Sequence, residues 1–437
     1  MTALEQLGRF VAQCGREPVS AEVRELVALH IIDAVGAWFA SATTAEAARL
    51  HMLDQSMRND KYPSISLNIA IRCAMARLSE IDDIHLPSMT TPGGIVIPAT
   101  ITMARAMKAP TAGGVVAAIL AGYEVMTRLG RALDGPTILY RGIWPTYFAA
   151  PVVVAALIAR LIDLDEKQSA NALALALTMA SPGVGHHNAE TTSRWLALGH
   201  AASQGVTAAA SATQGFTSDL NLIEGSFLSG IYGLTPDIAA LTDGLGKGTV
   251  LREISFKPWC AARQTMPATQ ALRGIIDSGV SPDTISAVHA FVLPPHLKMI
   301  DHGVVAGDRA SHLTSLPYCM AVAAVAPQLA FDLQQSPPEL PAAVREFMGK
   351  IKVEADAILL ADYPRRWRAR VSVVAGGNTY EQDVTEVPGD PTLPFYRSAV
   401  EEKFRRFVGA AIGAAEAEEC LTRCSNAIAT GDFSSLI

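Results

Sequence analysis

The chain has 437 residues, of which 50% are hydrophobic and only 18% charged, with a net charge of -7. That length suggests two or three domain-sized units at roughly 150 residues each, and so much apolar material excludes a mainly disordered chain. The acidic balance excludes the basic stripe of a nucleic-acid binder, and the scarcity of charge suggests an exterior partly hidden in an oligomer.

The amino-terminal stretch, MTALEQLGRFVAQCGRE, carries charges and no continuous apolar core, so it reads as a helix and not as a signal peptide. From residue 1 to about 250 the pattern is helix after helix, with apolar residues at three- and four-residue spacing. Val27, Ile31, Val35 and Phe39 form one stripe, with Asp33 unexplained inside it. Glu124 and Arg128 are one turn apart and suited to pair. Asp165 and Gln168 make a capping box for a helix that stops at Pro182-Gly183.

After Lys257 the texture changes. ISAVHAFVLP, IKVEAD and WRARVSVVAG alternate like strands, and Gly376-Gly377-Asn378 reads as a hairpin turn before TYEQDVTEV. Helical runs over 266–276 and 314–332 lie between them. The longest uncharged run, Thr314 to Phe331, holds Pro317 and Pro327 and reads as a buried helix, not a membrane span. A Pro-rich connector, VPGDPTLPF, precedes a return to helix from about 396. The expected fold is mainly α. A large all-helical domain covers 1–255, a smaller α+β domain 256–392, and carboxy-terminal helices over 393–437 rejoin the first.

Six cysteines without a CxxC pair do not make a disulfide scaffold, and Cys420 and Cys424 share a helix face without further metal ligands nearby in sequence. With no signal and no membrane span, a cytoplasmic protein is expected.

Five segments carry candidate chemistry. In SEIDDIHLPSMTTPGG, Asp82, Asp83 and His85 stand on a loop before Pro and Gly residues. That suits acid–base work, although residue types alone favour an N-cap and a solvated turn. Its Gly pair lacks the Lys-Ser/Thr of a phosphate loop. In YRGIWPTYFAAP, Trp144 and Tyr147 read either as site residues or as an aromatic core patch with Arg141 over it. The third segment holds the His186-His187 doublet and Arg194, which could receive a carboxylate or simply end a helix; Gly199, Ala201 and Gly205 permit close helix packing. In ISFKPWCAARQTM, Lys257 sits among apolar groups near Arg263, as a base or enolate-holding cation would, while Cys260 reads as a packed thiol. His312, Ser315 and Tyr318 precede a helix in DRASHLTSLPYCM.

These segments, together with AGYEVMTRLGRAL, RGIWPT, LALGHAASQG, ATQGFTSDLNLIEG, FKPWC, SLPY and GDPTLPF, occur in an order that resembles the MmgE/PrpD family of 2-methylcitrate dehydratase, cis-aconitate decarboxylase and iminodisuccinate epimerase. The resemblance runs nearly end to end. It implies a helical domain with an α+β lid, an active site between them without metal or organic cofactor, and a homodimer. It also implies α-proton abstraction from a small carboxylate substrate, hence a cofactor-independent lyase; an isomerase or epimerase, or a non-catalytic binding protein, are the alternatives. Lys257, His85, Asp82 and Tyr318 are then the catalytic candidates. Asp83, Thr91, Trp144, Tyr147, Arg194, Arg263, Cys260 and His312 are the substrate-contact candidates. The family's usual HPG is Thr91-Pro92-Gly93 here, its second His is Trp144, one Lys is Arg194, and a further His is Met266. With those acid–base groups replaced, a less polar pocket is expected, for a substrate that has fewer carboxylates or is larger and more apolar.

Overall fold

The helices form where the apolar periodicity places them, and side-chain caps fix their starts. Thr2, Ser20, Thr44, Ser64, Thr111 and Asp165 each accept a backbone N–H of the first turn. The computed structural model describes residues 1–58, 64–107, 110–181, 192–334, 337 and 339–436. Pro182-Gly183 and the His186-His187 doublet lie outside the described residues.

Two compact units result. The first takes in the described residues of 1–185, 192–255 and 396–437; the second those of 256–395. In the helical unit, Ser193–Thr213 packs against both Ile65–Leu78 and Pro145–Leu161. Gly199 touches the Ala70 carbonyl, and Gly205 the Pro151 carbonyl, where no Cβ would fit. Ala112–Ala132 is long and apolar enough to cross a membrane by composition, but it is packed inside this unit with Val115 to Ile119 at most 1% exposed.

Asp33 finds its reason here. Lys403 on Arg397–Ile412 donates to Asp33 Oδ1 at 2.5 Å and to the Ile81 carbonyl at 2.5 Å. Gly36 of Ala21–Ser41 leaves room for the Phe404 ring of the same helix. The helix expected from 396 onward is broken at Gly413, whose φ of 93° no L side chain adopts comfortably. Arg128 does pair with Glu124 at 2.6 Å, and it also donates to the Leu241 and Asp243 carbonyls.

The second unit is α+β. Its four strands are β1 (Ile285–Val292), β2 (Ile351–Ala355), β3 (Ala369–Ala375) and β4 (Asn378–Val384), in the order β2-β1-β3-β4. β1 and β2 are parallel, while β3 and β4 form a hairpin over Gly376-Gly377, both at positive φ. Met266–Asp277 and Leu316–Val325 pack with the sheet into one core that includes Met266, Leu272, Val288, Tyr318 and Val371. The single helix expected over 314–332 is two pieces, because Pro327 has no N–H to continue the ladder and opens a separate 3-10 turn, Pro327–Phe331.

Candidate active site

The loop 79–92 leaves the helix Ile65–Leu78 through Glu80, which has a left-handed φ of 58°. It is tied at Ile84, which exchanges backbone bonds with Ser255, and at His85, which donates to the Thr90 carbonyl at 2.8 Å. The solvated turn favoured by residue types does not exist. Asp82 and His85 are fully buried, and Asp83 is 1% exposed.

The two adjacent carboxylates avoid each other by facing different partners. Asp83 Oδ2 accepts from Tyr123 Oη at 2.7 Å and His30 Nδ1 at 2.8 Å, and its Oδ1 accepts from the Gly93 N–H at 2.7 Å. Pro92 offers no side-chain cap to the helix Gly93–Ala106, so Asp83 supplies the anion at that helix N-terminus. The Gly pair has a steric cause. A Cβ on Gly93 would lie 2.6 Å from Asp83 Oδ2, and one on Gly94 would lie 2.9 Å from Asp82 Oδ2.

Asp82 is paired with Arg77, which also reaches Glu80 at 3.3 Å. Glu80 in turn accepts from Arg194 Nη2 at 3.0 Å. Arg194 lies over the Trp195 ring at 4.2 Å and the Trp144 ring at 5.0 Å. Two guanidinium groups and two carboxylates thus form one neutral, buried array. Arg194 is committed to Glu80 and is not a vacant receptor for a substrate carboxylate. The cation over the aromatic patch is Arg194; Arg141 instead donates to the Tyr232 and Gly233 carbonyls.

Trp144 and Tyr147 meet edge to face at 5.1 Å. Burial pushes the Tyr147 phenol up, opposed by the nearby Arg194 and Arg77 charges. Thr91 binds the helix start beyond them, its N–H donating to Thr146 Oγ1 at 3.1 Å. His85 Nε2 accepts from Arg131 at 3.0 Å, so its proton sits on Nδ1 and is donated to Ser88 Oγ at 2.7 Å. Burial pushes this imidazole down to about 4, opposed by the Glu253 carboxylate, which lies 3.5 Å from Nε2 and is itself paired with Arg131, and aided by the Arg131 charge. It is neutral at pH 7 with both nitrogens engaged, so the acid role read for it from sequence is corrected to a structural one.

In the second unit, two motifs far apart in sequence meet. Phe256 N–H donates to the Gly389 carbonyl at 2.9 Å, and the Phe256 and Phe395 rings stack at 6.5 Å. Gly389, at a φ of 98°, touches the Phe256 carbonyl where a Cβ would clash. The FKPWC segment is therefore pinned by GDPTLPF, and Lys257 within it is 2% exposed. Arg263 is held by a carboxylate, with its Nη1 left without a hydrogen-bond partner among the described residues. Its Nη2 donates to both oxygens of Asp390, at 2.7 and 2.6 Å. Cys260 is packed, with Arg309 Nη2 at 3.7 Å from its sulfur. Met266 is fully buried core at a helix start.

His312 and Tyr318 form a second pair of chemically capable side chains, in the α+β unit. His312 Nδ1 donates to the Asp308 carbonyl at 2.9 Å, which leaves Nε2 as an acceptor with no partner among the described residues. The two rings meet edge to face at 4.9 Å and 88°. Burial lowers the pKa of His312, so the imidazole is neutral, and burial raises that of the Tyr318 phenol.

Residues 5–234 match the MmgE/PrpD N-terminal domain, and residues 259–427 match the MmgE/PrpD C-terminal domain. The chain belongs to the MmgE/PrpD family. Against curated proteins, no individual relative is matched. Membership points to dehydratase- or lyase-type chemistry for this MmgE/PrpD protein. Sequence reading missed the partners that hold this loop: Glu80, Arg77, His30, Tyr123, Arg131 and Glu253. The signals were faint. Arg77, Glu80 and Asp82 are close in sequence, and Tyr123 and Arg131 lie within AGYEVMTRLGRAL, but His30 and Glu253 come from segments with no motif of their own.

Proposed function

We propose that this MmgE/PrpD protein is a cofactor-independent lyase that removes the proton next to the carboxylate of a small, largely apolar acid. The observation that carries the reading is the buried His312–Tyr318 pair: a neutral imidazole with one nitrogen fixed and the other unpartnered among the described residues, beside a phenol. His312 Nε2 takes the proton from carbon. The electron pair moves onto the carboxylate oxygen as an enolate, which the Lys257 ammonium stabilises. Collapse of the enolate expels the β-hydroxyl, protonated by Tyr318, as water.

Asp83, Asp82, Thr91 and Arg194 hold the loop and the Trp144 ring in place within the helical unit in this proposal. The protein acts as a homodimer, which sedimentation equilibrium tests directly. The reaction test is incubation with a panel of short-chain hydroxy and unsaturated acids in D2O. Loss of water accompanied by deuterium in recovered substrate supports the lyase. Deuterium in the substrate without any product of new mass makes the protein an epimerase. Ligand-dependent stabilisation without exchange or turnover makes it a binding protein.

A further inference from the structure

The helical unit contains a hollow of about 1040 Å³, and none of the residues given a part in the proposed reaction lines it. One side is the end of the helix Ala3–Gln13 with residues 14–20, and another is the loop 242–249. Its volume matches the upper end of the range for small-molecule sites, roughly 300–1,000 Å³.

The loop reads Gly244-Leu245-Gly246-Lys247-Gly248-Thr249. Its glycines have φ of 64°, 77° and 81°, while Leu245 and Lys247 between them keep negative φ. A chain that alternates hands in this way turns successive N–H groups toward one side, as in the backbone nests that hold phosphate. Two of these groups are used inside the loop: Leu245 N–H donates to the Thr242 carbonyl at 3.3 Å, and Lys247 N–H to the Gly244 carbonyl at 3.0 Å. The N–H groups of Gly246, Gly248 and Thr249 have no hydrogen-bond partner among the described residues. Lys247 is exposed and makes no ion pair among the described residues.

The carboxylates around the hollow have other partners. Glu166 accepts from Arg9 at 3.0 Å and Gln13 at 2.7 Å, Glu124 from Arg128 at 2.6 Å, and Asp165 from the Gln168 N–H at 2.8 Å. Glu17 stands next to Arg16, whose ion pair among the described residues is a loose 3.9 Å contact with Asp163. The half-buried Phe10 ring reaches within 3.4 Å of the point where Gly246 would carry a Cβ, so an aromatic surface adjoins the unpaired N–H groups. An anion-binding loop beside a ring suits a ligand with a phosphate and a flat base. We infer that this hollow reversibly binds a nucleoside phosphate, its phosphate on the Gly246, Gly248 and Thr249 N–H groups and the Lys247 ammonium, and its base against Phe10.

The test titrates the full chain with three probes, read by calorimetry and ligand-observed NMR. Adenosine monophosphate has both phosphate and base, adenosine has the base alone, and inorganic phosphate has the anion alone. The nucleotide is expected to bind saturably and about fivefold or more tightly than either fragment. Lys247→Gln should reduce nucleotide binding to the level of adenosine and leave adenosine unchanged. Phe10→Ala should reduce it to the level of inorganic phosphate. Equal binding of the nucleotide and inorganic phosphate to the wild type overturns the base assignment. Nucleotide binding untouched by Lys247→Gln, or no saturable nucleotide binding at millimolar concentration, overturns the site. Lys247→Gln alters an exposed side chain without an ion pair among the described residues, so it carries the test by itself if Phe10→Ala does not fold. Neither residue has a part in the proposed reaction, so failure here leaves that reaction standing.

Discussion

The loop 79–92 of the helical unit and the His312–Tyr318 pair of the α+β unit carry similar residue types and use them in opposite ways. In the loop, Asp82, Asp83, Glu80 and His85 are each held by a named partner: Arg77, Tyr123 with His30, Arg194, and Arg131. In the pair, His312 keeps one lone pair unpartnered among the described residues. A buried charge is tolerated only when paired, so a cluster rich in charges tends to be consumed by its own pairing. A neutral imidazole needs no counter-ion and can stay open. Richness in ionisable residues therefore marks the scaffold here, and the sparser pair marks the candidate chemistry.

That contrast can be broken. The largest effect expected is on turnover: His312→Gln and Tyr318→Phe should each lower kcat by about 10²- to 10⁴-fold, the usual worth of a proton-transfer group, with unfolding midpoints little changed. If both variants keep full activity on a substrate found by deuterium exchange, the assignment of the pair fails. Next, Arg77→Leu should cost about 3–5 kcal/mol in urea unfolding, because it leaves Asp82 and Glu80 buried with their shared guanidinium gone. A loss below 1 kcal/mol would mean the array is not structural.

A pH series sharpens the comparison further. His85 is held near 4 in the folded chain against about 6.5 when unfolded. The unfolded state therefore binds the proton first. Stability attributable to His85 is complete above pH 6.5 and declines as pH falls toward 4, by on the order of 3 kcal/mol. The difference between wild type and His85→Gln, measured by chemical unfolding at pH 7 and pH 5, should shrink accordingly. Gly93→Ala should cost about 1–3 kcal/mol by overpacking against Asp83, seen as a lowered Tm. The smallest effect is Trp144→His. It should weaken binding of an apolar acid several-fold with little change in stability, and unchanged binding would remove the less polar pocket expected from the sequence.

Much of the architecture was legible from residue patterns. The strand alternation around Ile285, Ile351 and Ala369 and the Gly376-Gly377 turn appear where local chemistry demands them, because period-two burial and positive φ are properties of short segments. The capping box at Asp165 and the Glu124–Arg128 pair are equally local, since their partners lie within one turn. The breaks at Pro327 and Gly413 were readable in principle, as a missing N–H and a positive-φ glycine, but continuous apolar periodicity masked them.

The site was legible in its residues and not in their roles. Asp82, Asp83 and His85 are correctly marked as unusual in an apolar chain, yet nothing near them in sequence reveals that Tyr123, His30 and Arg131 occupy their polar atoms. Arg194 and Arg263 read as cations in waiting, until Glu80 and Asp390 arrive from 114 and 127 residues away. The amino-acid order by itself determined the elements, the family and the positions of the chemically capable side chains, because those depend on neighbours a few residues apart. Tertiary structure alone decided which of those side chains are paired and which keep an open atom. Burial and pairing are set by groups distant in the chain, as when Lys403 meets Asp33 across 370 residues, and no local pattern encodes them.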